Sequence, residues 1–76
     1  MKAYVLIKTR AGDIKEVVKS LRKLEGVTEA HMTFGPFDVV AEVETEDVAR
    51  LGAITASGIQ PIPGIEQTLT CLAVDI

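Results

Sequence analysis

The sequence predicts an α+β sandwich, a four-stranded antiparallel sheet with two helices on one face. Three observations predict it. Apolar and polar residues alternate in the two segments flanking Gly35-Pro36-Phe37-Asp38, as in a hairpin. Two other segments, beginning at Ile14 and Val48, carry apolar residues at helical spacing. The two halves also form a loose repeat of strand, helix and strand, with Gly26-Val27 and Gly64-Ile65 at the equivalent helix-to-strand junctions.

Taken in order, Ala3-Tyr4-Val5-Leu6-Ile7 is a short run apolar on both sides, which suits a central strand covered on both faces. Gly12-Asp13 opens the first helix, in which Ile14, Val17, Val18, Leu21 and Leu24 share one face and Asp13 with Glu16 resembles a capping box. Gly26 ends it in the left-handed conformation that glycine supplies at helix ends. Residues 27–34 alternate, with Thr28, Ala30, Met32 and Phe34 on a dry face and Glu29, His31 and Thr33 on a wet one. After the turn, Val39, Ala41 and Val43 oppose Val40, Glu42 and Glu44. Thr45 then caps a second helix, followed by Glu46 and Asp47 at the positive end of its dipole. Val48, Leu51 and Ile54 give that helix a core face, while Gly52, Ala53, Ala56, Ser57 and Gly58 make it thin and prone to fray. Gln60-Pro61-Ile62-Pro63-Gly64-Ile65 is a stiff connection. Residues 68–76 alternate Thr68, Thr70, Leu72 and Val74 against Leu69, Cys71 and Ala73, a last strand with two largely apolar faces. Strand, helix, strand, strand, helix, strand is the split βαβ, ferredoxin-like arrangement, and right-handed crossovers give it the sheet order 4-1-3-2.

The 76 residues fit one domain, residues 1–76, and so small a domain buries only about two-thirds of its unfolded surface. Its 47% apolar content includes only one Tyr and two Phe, so stability rests on aliphatic packing and on oligomerisation. Cys71 is the sole cysteine, which excludes an internal disulfide, and there is no zinc-type spacing. Eight basic and eleven acidic residues give a net charge of −3, and no basic run suits phosphate tracking, so nucleic acid is not expected as a direct partner. Lys15, Lys19, Arg22 and Lys23 are expected on a solvated helix face with Glu16 and Glu25 interleaved. Met1 to Arg10 lacks the layout of a signal peptide, and no apolar stretch suits a membrane span. The chain is expected to be soluble and cytoplasmic.

The corner at residues 35–38 carries the chemistry. Pro36 fixes φ, and Phe37 at the third position disfavours a type II turn, so a type I turn is expected. Asp38 leaves it beside backbone amides. A carboxylate and free N–H groups at one corner suit the two charged ends of a small zwitterion. The plainer reading is a hairpin turn with a polar rim. His31 shares a strand face with Glu29 and Thr33, and a surface or interface role is expected for it. Acting as a general base or ligating a metal near Asp38 and Glu42 is the alternative. Cys71 reads as an inert core thiol, and Tyr4 as a ring packed on the sheet with its hydroxyl outward. No phosphate loop, nucleophile elbow, metal set or cofactor motif is visible.

Four pieces in order then resemble a known family: Ala3-Tyr4-Val5-Leu6-Ile7, Leu24-Glu25-Gly26-Val27, Gly35-Pro36-Phe37-Asp38, and Ile62-Pro63-Gly64-Ile65 leading into Thr68-Leu69-Thr70. Together they resemble the effector-binding and oligomerisation (RAM) domain of the leucine-responsive and asparagine (Lrp/AsnC) regulators. The resemblance implies a stand-alone form without the family's helix-turn-helix segment, dimers formed through the sheet, higher assemblies of dimers, and an amino-acid effector held between dimers. It implies that Gly35, Phe37 and Asp38 contact the effector, with the hydroxyls of Thr68 and Thr70 on the last strand; Thr33 completes the candidate set. The family's aromatic position is often tyrosine, and Phe37 lacks the phenol. Pro36 has no N–H, so an effector carboxylate would use the amides of Gly35 or Phe37 or a threonine hydroxyl.

The function so implied is non-enzymatic amino-acid sensing. Its partners are further copies of this chain and a free amino acid. A second reading is an assembly subunit that joins a full-length regulator of the family, without a ligand of its own. A third is a dimeric α+β barrel enzyme using His31.

Overall fold

The computed structural model describes residues 1–75. Its elements are β1 (Lys2–Thr9), α1 (Ile14–Arg22), β2 (Val27–Met32), β3 (Val39–Glu44), α2 (Val48–Ala53), a π-helical segment (Ile54–Ile59) and β4 (Ile65–Leu72). The strands pair antiparallel in the order β2-β3-β1-β4, the expected order read from the other edge. Ala3, Val5 and Ile7 of β1 and Val39, Ala41 and Val43 of β3 pack with Val17, Val18 and Leu21 of α1 and with Leu51, Ile54 and Ile59.

Both helices lie on one side, so β1 is covered on one face alone. Its other face shows Tyr4 at 38% exposure and a half-buried Leu6, open within the chain rather than covered. Cys71 pairs with Tyr4 on that open face and is exposed, not a core thiol, because β4 is an edge strand with no layer above it there. Lys2 and Glu42, 3.5 Å apart, mark one margin of the face, and Glu42 draws the Lys2 ammonium above its usual pKa.

The helices differ from expectation at their ends. Asp13 is the N-cap residue of α1, but its side chain caps nothing, because the carboxylate accepts instead from Arg10 Nε at 2.7 Å. The second helix starts two residues late. Asp47 is its cap, accepting from the Arg50 N–H at 2.8 Å, while the Thr45 hydroxyl donates to the Asp47 carbonyl. That shift turns Val48 outward, 61% exposed. Where fraying was expected, the helix widens. Gln60 N–H donates to Thr55 O, five residues back, and the Thr55 hydroxyl donates to the carbonyls of Leu51 and Gly52. The widened turn brings Ile59 to full burial.

On α1, Lys19 and Glu16 pair 3.7 Å apart on the solvated face. Arg22 leaves that face: its Nε and Nη2 both donate to Ala30 O of β2, at 3.0 and 2.8 Å. The two helix-to-strand junctions use glycine as expected, Gly26 at φ 96° and Gly64 at φ 97°.

β2 carries an irregularity between Val27 and Glu29. Val27 and Ala30 therefore both lie opposite inward residues of β3, Val43 and Ala41, although three positions apart. Thr28 is displaced from the dry face, and its hydroxyl reaches Glu42. The strand also ends at Met32, leaving Phe34 beyond it and wholly exposed. β4 spans Ile65–Leu72, starting earlier and stopping sooner than expected; Ile76, included in the sequence expectation, lies outside the described residues.

Candidate functional site

The corner between β2 and β3 is organised by Thr33 and Asp38. Thr33 N–H donates to Asp38 O at 2.9 Å, and the Thr33 hydroxyl donates to Phe37 O at 2.7 Å. Asp38 N–H donates to Ile7 O at 2.9 Å, so no i to i+3 bond closes residues 35–38, and the corner is an open bend rather than a hydrogen-bonded type I turn. Phe37 is half-buried, while Gly35 and Pro36 are exposed.

Alternation in the β1–β3 ladder explains the role of the Asp38 side chain. Ile7 pairs with Val39, and two residues further on Thr9 N–H would meet the carbonyl of Phe37. Phe37 O is turned to Thr33 instead, and Asp38 Oδ2 takes its place, accepting from Thr9 N–H at 2.9 Å. A charged acceptor on a backbone amide is a strong form of this bond. Asp38 is thus partly buried and fixed, with one carboxylate oxygen engaged. Its Oδ1 accepts from no other described residue, and the amides of Gly35 and Phe37 donate to none.

Thr68 stands across β1 from this corner. It pairs with Ile7, whose carbonyl receives Asp38 N–H, so Thr68 and Asp38 flank the same residue from opposite sides. Thr68, Thr70 and Leu72 oppose Ile7, Val5 and Ala3, which settles that they point to the helix side of the sheet. No helix covers them there: Thr68 is half-buried and Thr70 exposed. Thr33, Phe37 and Asp38 are joined directly, Thr68 through Ile7, and Thr70 lies about 7 Å further along the strand.

Sequence reasoning missed Thr9. It is 7% exposed, and its Oγ1 has no hydrogen-bond partner. The signal was present: Ala3, Val5, Ile7 and Thr9 follow the strand period of two, which puts Thr9 on the buried face.

His31 lies elsewhere. Its Nε2 is 3.0 Å from Glu29 Oε1, both side chains are exposed, and the ring makes no hydrogen bond with Asp38 or Glu42. A cavity of about 420 Å³ lined by Glu25, Glu44, Glu46, Asp47 and Arg50 sits at the opposite end of β1 from the corner. Among the described residues no three His, Cys, Asp or Glu side chains gather as metal ligands, and no helix is long and apolar enough to cross a membrane.

Fold and corner together define a small α+β sandwich with one open sheet face and a hydrogen-bonded polar bend beside its central strand. The chain belongs to the Lrp/AsnC ligand binding domain family, whose model matches residues 2–76. The HTH-type transcriptional regulator FL11 of Pyrococcus abyssi is 36% identical over 72 residues, 95% of this chain and 47% of that protein. The chain spans about half the length of the curated relatives it matches. Among solved structures, TTHA0845 from Thermus thermophilus superposes with a TM-score of 0.94 at 33% identity, covering 99% of this chain and 94% of that one. The transcriptional regulator NMB0573 of Neisseria meningitidis, solved as a complex with L-Met, shares the fold at 17% identity and a TM-score of 0.86, over 97% of this chain and 49% of that one. FL11 and NMB0573 are transcriptional regulators by name, and AsnC of Haemophilus influenzae, 32% identical over 90% of this chain and 45% of that protein, is a regulatory protein.

Proposed function

We propose that this chain is a non-enzymatic effector module that binds a free amino acid at the corner of residues 33–38 and assembles through its open sheet face. The observation that carries the reading is Asp38: one carboxylate oxygen is anchored by Thr9 N–H, and the other stands without a partner beside the unpaired amides of Gly35 and Phe37. The free oxygen takes the ligand ammonium; the amides take its carboxylate. Phe37 supplies an apolar wall, Thr33 holds the bend, and Thr68 faces the ligand from across β1, with Thr70 at the periphery. That NMB0573 was solved with L-Met supports an amino acid as the ligand class.

Assembly follows from the open face. Tyr4, Leu6, Val40 and Leu69 form an apolar centre that a second copy covers in a sheet-to-sheet dimer, with residues 1–76 acting as one domain. Because the curated relatives are about twice as long, the same face also suits a full-length regulator as partner.

Thermal unfolding at fixed protein concentration, against each proteinogenic amino acid, tests the reading. A selective rise is expected, since ligand at 100 times its Kd adds about 2.7 kcal/mol to the folded state. A flat response across the panel removes sensing and leaves association with a regulator, which co-purification would then reveal.

A further inference from the structure

We propose that the Thr9 hydroxyl is a ligand-contacting group of this site, donating to an acceptor oxygen of the bound zwitterion; this deepens, and rests on, the amino-acid reading above. Thr9 Oγ1 is the one buried side-chain oxygen or nitrogen without a hydrogen-bond partner among the described residues. A hydroxyl in that condition destabilises the fold, whereas valine fills the same volume with no polar atom to leave unmatched. The position of the hydroxyl gives it a use. Thr9 stands between the two halves of the candidate site. Its N–H holds Asp38 on the β3 side, and Thr68, paired with Ile7, is its diagonal neighbour on the β4 side. Directly opposite Thr9 is Ile65, and the pairing slips between Lys8 and Thr9, so the β1–β4 ladder is irregular at this point. A cavity of about 410 Å³ lined by Gln60, Ile65, Glu66, Gln67 and Thr68 opens against the same irregularity. Ile65, the cross-strand partner of Thr9, thus also lines the cavity that contains Thr68; Thr9 does not line it, and the Ile65 side chain must yield for a ligand oxygen to reach the hydroxyl.

The test compares wild type with Thr9→Val and Thr9→Ser, reading the unliganded Tm and then the Kd, by calorimetry, for whichever of the twenty proteinogenic amino acids shifts the wild type. Thr9→Val is expected to raise the unliganded Tm by on the order of 5 °C, because it removes an unmatched buried hydroxyl. It is also expected to weaken the amino acid by about tenfold, a loss of one hydrogen bond to a charged group. Thr9→Ser keeps the hydroxyl and is expected to bind within about threefold of wild type. Equal affinity in wild type and Thr9→Val overturns the contact while leaving the amino-acid reading intact. A lower unliganded Tm in Thr9→Val also overturns it, since the hydroxyl then has a partner before any ligand arrives. Silence of the wild type across the whole panel overturns the amino-acid reading, and the Thr9 contact with it.

Discussion

On the proposed reading, Asp38 both accepts from Thr9 N–H and holds the ligand ammonium, two tasks that one substitution separates. In Asp38→Ala both are lost: Thr9 N–H has no acceptor, and the ligand ammonium has no counter-charge. An unmatched backbone donor in this partly buried setting costs about 1–3 kcal/mol. For a domain of this size that is on the order of 4 to 20 °C in Tm. Asp38→Asn keeps an oxygen for Thr9 N–H but no charge. Its expected Tm lies close to wild type, while its affinity for the effector falls by about 2–5 kcal/mol, the usual result of removing one partner of a desolvated charge pair. At roughly 1.4 kcal/mol per tenfold, the loss spans about 30-fold to several thousand-fold. Differential scanning calorimetry of the unliganded variants gives the first quantity, and titration calorimetry with the responding amino acid gives the second. Wild-type affinity in Asp38→Asn would refute the ammonium assignment. A wild-type Tm in Asp38→Ala would refute the structural part, showing that the Thr9 to Asp38 bond contributes nothing net.

Two further predictions concern the frame around the site. Gly64 has φ 97°, and a Cβ there would stand 2.7 Å from Asp13 Cβ, so Gly64→Ala should cost about 2 kcal/mol or more, read from urea unfolding midpoints; a change under about 0.5 kcal/mol would count against the geometry of that junction. Leu69→Glu, at a position 46% exposed within one chain and opposite Leu6, should leave far-ultraviolet circular dichroism unchanged while sedimentation shows monomer where wild type shows dimer.

The periodicities carried most of the fold. Ile14, Val17, Val18 and Leu21 mark the inward side of α1, with Leu24 packed against the core just past its end, and alternation in residues 39–44 separates the two faces of β3 correctly. Local chemistry misled where two partners competed for one group. Asp13 had Arg10 within reach, a charge-assisted alternative to its own helix N–H groups. Thr45 and Asp47 are both good caps, and two residues separate their outcomes. The shift within β2 was invisible because an extra residue leaves no mark in an alternating pattern until the partner strand is known. For the site, the corner was legible from Gly35, Pro36, Phe37 and Asp38. The acceptor role of Asp38 toward Thr9 was not, since it links positions 29 residues apart through a ladder whose register only the folded sheet defines.

The Arg22 fork on Ala30 bears on how far such a sheet can extend. Thr33 N–H donates a ladder bond to Asp38 O, so alternation turns the N–H and C=O of Ala30 away from β3, toward the free margin of β2. There the guanidinium occupies the carbonyl, on a strand already short and irregular. At the opposite margin, Thr68, Thr70 and Leu72 present their main-chain groups outward with no side chain of the described residues fastened to them. One margin is blunted and the other adhesive. An endless cross-strand ribbon needs two adhesive margins per molecule, whereas one allows a single joining event that consumes both participants. A fibre built strand to strand from such molecules would have no second end from which to grow.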